Sequence, residues 1–156
     1  MIDAYIAVKW AHIVGAAVLF GTGLGTAFHF WIAQKREAPA AVAAVARATV
    51  LADWIFTLPA VILQPVTGFA LASMAGYSMG ATWILAALAL YAVAGACWIP
   101  VVFIQMRLRD IAVQCAREDT PLTPEFRRLA RRWILLGWPA FIALAVVFWL
   151  MIARPA

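Results

Sequence analysis

Charge is scarce in this chain: 12% of its 156 residues are charged, 67% are hydrophobic, and the mean hydropathy is +0.94. Soluble domains carry about 25% charged residues, so there is too little polar surface here to cover a domain in water, and lipid is the expected solvent. Cysteine is equally sparse. Cys97 and Cys115 lie far apart with no CxxC between them, which argues against a disulfide framework or a zinc site and leaves two free thiols. The chain also lacks a Rossmann fingerprint, a P-loop, a nucleophile elbow and an HExxH motif, so soluble nucleotide and hydrolase chemistries have no support. Paired methionine or histidine motifs are missing too, and intramembrane charges are few, which weakens a reading as a small transporter or copper-handling permease. No internal repeat is visible. The opening Met1-Ile2-Asp3 has no basic leader, and the apolar stretch behind it is too long for a cleaved signal. That segment is expected to remain as a helix.

What the chain does have is long apolar runs. A membrane-crossing helix needs about 20 mostly apolar residues, and nearly uncharged runs of that order occur around 10–34, 54–82, 83–106 and 133–153. The expected fold is all-α, a four-transmembrane-helix bundle forming a single domain over residues 1–156. Tryptophan concentrates at membrane–water interfaces, and Trp10, Trp31, Trp54, Trp83, Trp133 and Trp149 fall at the ends of these runs, with Trp98 and Trp138 deeper.

The basic residues predict an orientation. Lys35, Arg36 and Arg47 lie between the first two spans, and Arg107, Arg109, Arg117, Arg127, Arg128, Arg131 and Arg132 between the last two, whereas the connection 73–82 has no charge. The positive-inside rule puts both basic connections in the cytoplasm and both termini outside, N-out and C-out, in a multi-pass protein of the bacterial inner membrane. The net charge of +5 is then a topology signal. The arginines flank spans and alternate with Glu118, Asp119 and Glu125, a pattern that does not make a nucleic-acid face.

Helix punctuation fits four long helices. Ala38-Pro39 separates the first two, Ala75-Gly76 and Met79-Gly80 turn the second into the third, and Asp119-Thr120-Pro121 closes the third. Thr123-Pro124-Glu125 has the form of an N-cap, a first-turn proline and a first-turn acid. The inner ends of the third and fourth helices are expected to extend into the cytoplasm.

In hydrocarbon an unpaired polar group costs several kcal/mol, so the polar residues of the spans are the informative ones. On the first helix they are His12, Thr22, Thr26 and His29; Gly21, Gly25 and His29 share a face that allows close approach of a helix or a flat ligand. His12 and His29 are about 25 Å apart along the helix and cannot share a metal within one chain. Asp53, Thr57, Gln64 and Thr67-Gly68 fall on one side of the second helix, where Pro59 and Pro65 each free a carbonyl one turn back for some other donor. Tyr91, Gly95, Trp98, Gln105 and Arg109 form a stripe on the third, with Pro100 interrupting its ladder. Antiparallel neighbours would bring His29, Asp53 and Gln105 to the same inner depth, where they are expected to meet either as helix-packing glue or as a proton-relay or ligand-orienting cluster. His12, just inside the outer boundary, has the chemistry of an axial haem ligand, with Met74, Met79 or His12 of a second copy as partners across the iron. An interfacial histidine with no ligand is the alternative.

Several phrases carry a resemblance: Ala52-Asp53-Trp54-Ile55-Phe56-Thr57-Leu58-Pro59-Ala60 with Gln64-Pro65-Val66-Thr67-Gly68, Cys97-Trp98-Ile99-Pro100, and Gly137-Trp138-Pro139-Ala140-Phe141. With these the chain resembles a family of bacterial integral membrane proteins of unknown function, domain-of-unknown-function family 2269, over nearly its whole length. More distantly, Lys9-Trp10-Ala11-His12-Ile13 and the glycine-bearing run behind it are similar to the opening helix of the membrane protoporphyrinogen oxidase and copper-resistance D-type group. That likeness implies haem b at His12. The oxidase group's proline-arginine pair and third-span lysine have no counterpart here, so it does not carry over porphyrinogen oxidation. The functional expectations are a haem b-binding redox protein with His12 as metal ligand and His29, Asp53, Gln64 and Gln105 lining the site; or a non-catalytic membrane subunit that docks other helices. Beyond the lipid bilayer, a second copy of the chain or a membrane redox partner is the partner these readings admit.

Overall fold

The computed structural model of the protein describes residues 3–35 and 38–155. Arg36 of the first basic connection and the opening Met1-Ile2 lie outside the described residues. Four helices account for nearly all of the rest: α1 Ala4–Lys35, α2 Pro39–Met74, α3 Thr82–Arg117 and α4 Pro124–Ala153, of 32, 36, 36 and 30 residues. Each is long and apolar enough to cross a membrane. At 1.5 Å per residue α3 is about 54 Å long, well beyond the ~30 Å hydrocarbon core, so it projects past the membrane by several turns. No strand is present among the described residues.

The helices run alternately up and down. One end of the bundle, the basic end, carries the α1–α2 and α3–α4 connections; the other carries the termini and the α2–α3 connection. At the terminal end Gly76 closes α2 with φ +72°, a conformation glycine adopts freely, while the Tyr77 amide reaches back to the Ala72 carbonyl at 3.0 Å. Arg154 stacks on the Tyr77 ring at 5.3 Å and donates to its hydroxyl, tying the C-terminus to that turn. At the basic end the N-cap forms as its sequence indicates: Thr123 Oγ1 accepts from the Phe126 amide at 3.2 Å, with Pro124 and Glu125 in the first turn.

The buried face of α3 is a heptad pattern. Ala87, Ala94, Val101, Leu108 and Cys115 are all buried and recur every seventh residue; a second row, Ile84, Tyr91, Trp98, Gln105 and Ala112, lies three residues before each. A seven-residue repeat with two inward rows is the geometry of left-handed helix packing, in which neighbouring helices cross at about 20°. Ala87 and Ala94 keep the first row small toward the terminal end, which lets a neighbouring helix approach closely. The second row carries the polar groups.

On α2 the buried residues Val42, Ala46, Thr49, Asp53, Thr57, Ala60, Gln64 and Thr67 advance by alternating four- and three-residue steps, except at 49–53–57, where two four-residue steps follow one another. The helix absorbs the extra residue as one π-turn over Asp53–Thr57. Pro59 follows directly; it has no amide proton to offer Ile55, so the wider turn loses little by abandoning the α-helical ladder there. Pro65 leaves the Val61 carbonyl without its helical donor, and the Tyr91 hydroxyl of α3 supplies one at 2.7 Å. Tyr91→Phe therefore removes an interhelical bond and strands an acceptor. Its expected cost is about 1–2 kcal/mol, measurable as a shift of the detergent-unfolding midpoint followed by circular dichroism.

The largest continuous core sits in the basic half. Phe30 and Ala33 of α1, Val42 and Ala46 of α2, Leu108 and Ala112 of α3, and Phe126, Ala130 and Trp133 of α4 close around one another, with the Phe30 ring edge-on to Trp133 at 5.3 Å. In the terminal half α1 meets α4 through fewer, larger groups, Phe20 stacking on Phe141 at 4.3 Å and leaning on Phe148. The faces turned away from the bundle keep Trp10, Phe28, Phe103, Trp138 and Trp149 largely exposed, as an apolar solvent permits.

Candidate functional site

Two polar clusters occupy the interior, at different depths. The first joins α1 to α2 in the terminal half. His12 Nδ1 lies 2.7 Å from Thr67 Oγ1, and the Thr67 hydroxyl is 2.7 Å from the carbonyl of Leu63, one turn earlier on its own helix. With the Thr67 proton on that carbonyl, the hydroxyl oxygen is placed to accept from His12 Nδ1–H. In that tautomer the lone pair is on Nε2. Gln64 adds a second tie, its Nε2 donating to the His12 backbone carbonyl at 2.9 Å.

Two glycines make room for these contacts. A Cβ on Gly68 would come 3.4 Å from His12 Cε1, so the ring edge lies directly over that residue. A Cβ on Gly15 would come 2.7 Å from Gln64 Nε2, closer than the two atoms can approach. By contrast, a Cβ on Gly21 or Gly25 meets nothing within 4 Å. The glycine-rich appearance of α1 thus conceals two roles: Gly15 faces α2 at contact distance, and Gly21 and Gly25 lie on the outer, exposed side.

A histidine whose Nδ1–H is held by an oxygen and whose Nε2 keeps its lone pair has the arrangement found behind metal-bound imidazoles. A bare metal ion asks for three or four protein donors, and among the described residues no group of three His, Cys, Asp or Glu is placed to hold one. Haem brings four equatorial nitrogens of its own and asks the protein for one or two axial ligands. His12 alone would serve such a group as one ligand. Neither Met74 nor Met79 is among the residues in contact with His12. Met74 is about 9 Å beyond Gly68 along the helix, exposed beside a shallow hollow lined by Asp3, Ala4 and Tyr5; Met79 is exposed in the following turn.

The second cluster spans three helices in the basic half. Asp53 Oδ1 accepts from Thr57 Oγ1 at 2.8 Å, its Oδ2 accepts from Gln105 Nε2 at 2.5 Å, and Gln105 Oε1 accepts from Trp133 Nε1 at 3.3 Å. The four-residue spacing sets Asp53 and Thr57 on the same side of α2, the α3 heptad supplies Gln105, and α4 supplies Trp133. Asp53 is 7% exposed and Gln105 3%. Among the described residues neither carboxylate oxygen is in a salt bridge. The arrangement fixes the register of three helices and satisfies the carboxylate entirely by neutral donors.

His29 stands outside this cluster. It is exposed, while its neighbour Phe30 is 1% exposed and fills the core instead; one residue is a 100° step around a helix, so the two cannot share a face. The expected grouping of His29, Asp53 and Gln105 is thus reduced to Asp53 and Gln105, joined by Thr57 and by Trp133. Trp133 ends an apolar run, a position that suggests an interfacial indole, but it is buried at 7% with its N–H engaged inside. Gln64 belongs to the first cluster. Arg109 ends the α3 stripe paired with its neighbour Asp110 at 2.8 Å, near the basic end.

No curated protein and no solved structure matches the chain. A sequence family does: the family described as predicted integral membrane protein (DUF2269) matches residues 6–155. That span includes all four helices but the first two residues of α1, and both polar clusters. The chain belongs to this family of integral membrane proteins.

Proposed function

We propose that the protein is a haem b-binding redox protein of the bacterial inner membrane, in which His12 Nε2 would hold the haem. The observation that carries this reading is the 2.7 Å contact between His12 Nδ1 and Thr67 Oγ1, which holds the ring through one nitrogen and turns the other, Nε2, to the ligand's side in the Nδ1–H tautomer. Held by such an imidazole, haem b would supply one-electron chemistry. The chain's own part is to orient the ring through Thr67, to clear its edge with Gly68 and to anchor its backbone through Gln64. The basic connections orient the bundle N-out and C-out, so His12 lies toward the outer face and the Asp53–Gln105 cluster toward the cytoplasm.

The test is the visible spectrum of protein purified from haem-replete cells. Wild type is expected to be red with a Soret band, His12→Ala colourless, and His29→Ala unchanged. Colourless wild type contradicts the reading. Retention in His12→Ala with loss in His29→Ala would move the site to the cytoplasmic side. A second reading, a non-catalytic subunit that docks other helices, is favoured by the open stripe of Gly21 and Gly25 on the exposed side of α1. For that reading Gly21→Leu is expected to abolish self- or partner association without altering the spectrum.

A further inference from the structure

At the basic end a cavity of about 540 Å³ opens between the last turn of α1 and the first turns of α4. Its wall is of two kinds. Trp31, Leu122, Phe126, Ala130 and Ile134 make an apolar floor, and Lys35, Arg127 and Arg131 supply three cations. The Lys35 ammonium sits 3.6 Å from the centre of the Trp31 ring, which holds it at the cavity. Arg127 and Arg131 are one helical turn apart on α4, so their guanidinium groups project from the same side. The nearest acid on that helix, Glu125, is engaged elsewhere, at 3.1 Å from Arg107. Gln34 also lines the cavity, and its Nε2 is buried with no hydrogen-bond partner among the described residues, the single such side-chain atom there.

A buried amide donor without an acceptor is costly, and here it borders three cations and an apolar floor. An anion with several acceptor oxygens and an apolar extension matches this lining. Guanidinium pairs bind phosphate oxygens bidentately, and basic pockets between transmembrane helices on the cytoplasmic side suit anionic lipid head groups. We propose that this cavity binds one anionic phospholipid, its phosphodiester between Lys35, Arg127 and Arg131 with Gln34 donating to an ester or phosphate oxygen, and its acyl chain along Trp31 and Ile134. The apolar floor selects lipid over free phosphate: a soluble phosphate has nothing to place there. The site is distinct from the His12 cluster and does not depend on haem.

Native mass spectrometry of protein released from mixed micelles tests this, with dioleoyl phosphatidylglycerol and dioleoyl phosphatidylcholine offered together and glycerol 3-phosphate as soluble competitor. Wild type is expected to retain one phosphatidylglycerol in preference to phosphatidylcholine, undisturbed by millimolar glycerol 3-phosphate. R127Q/R131Q is expected to lose at least about tenfold in phosphatidylglycerol affinity, and K35Q alone a smaller part of it. The charge-matched control R117Q/R128Q, at arginines that do not line the cavity, is expected to retain wild-type binding. All these positions are exposed, and circular dichroism with size exclusion confirms folding of each variant. Equal losses in the two double variants would reduce the effect to net charge and overturn the site. Equal retention of phosphatidylcholine, or displacement of the lipid by glycerol 3-phosphate, would overturn the anionic-lipid assignment.

Discussion

Gln105→Leu is expected to destabilise the bundle by about 2–4 kcal/mol, the largest of the stability effects the interior predicts. A single interhelical hydrogen bond in a bilayer averages only about 0.6 kcal/mol, so one lost bond does not account for such a figure. Gln105 makes two, to Asp53 on α2 and to Trp133 on α4. Its removal strands a carboxylate oxygen and an indole N–H where water does not reach, and that penalty dominates. The same reasoning makes Asp53→Leu/Gln105→Leu milder than the sum of its single variants, because the double change removes the stranded acceptor together with its donor. Reversible unfolding in mixed micelles, followed by circular dichroism for the single and double variants, measures both the loss and the coupling. A Gln105→Leu protein as stable as wild type would mean that the cluster is incidental to helix register.

The second expected effect is one of sign. In an ordinary helix interior Gly→Ala gains about 1 kcal/mol. At Gly15 the change is expected to cost about 1–3 kcal/mol, because the new Cβ would lie 2.7 Å from Gln64 Nε2 and drive that buried amide off the His12 carbonyl. At Gly21 the same change meets nothing within 4 Å and is expected to be neutral or stabilising in the monomer. The comparison of Gly15→Ala with Gly21→Ala in one micelle system therefore tests the α1–α2 contact with chemistry and helix matched. Equal effects at both positions would contradict the close approach at Gly15.

The contrast between the two glycines also shows what was legible in the sequence. Gly15, Gly21 and Gly25 are alike as letters, and only the direction of each Cα–Cβ bond separates a contact from an open face. The polar face of α2 was readable because Asp53, Thr57, Gln64 and Thr67 have no reason to face hydrocarbon, and Pro65 announced the carbonyl that Tyr91 takes up. The alanine row of α3 was not. In water a buried apolar residue contrasts with a polar surface; in lipid both faces are apolar, so Ala87 and Ala94 look like the residues beside them. The π-turn at Asp53–Thr57 was hidden for a related reason, since its trace is one extra residue between polar positions that either phase accommodates. Trp133 was assigned by its place at the end of an apolar run, but α4 extends beyond that run and turns the indole toward Gln105. His29 was grouped with Asp53 by depth alone, and depth does not fix the angle around a helix.

The central claim is that Thr67 holds His12 as a ligand-ready imidazole, and a haem titration of purified apoprotein tests it most directly. Thr67 would not touch the iron, so Thr67→Val changes only the orientation and basicity of the His12 ring, a loss that costs metal-site affinities about 10–100-fold. Following the Soret band, wild type is expected to bind one haem, Thr67→Val to bind it about 10–100-fold more weakly, and His12→Ala to show no specific band. Identical titrations for wild type and Thr67→Val, or an undiminished Soret band in His12→Ala, would contradict the account.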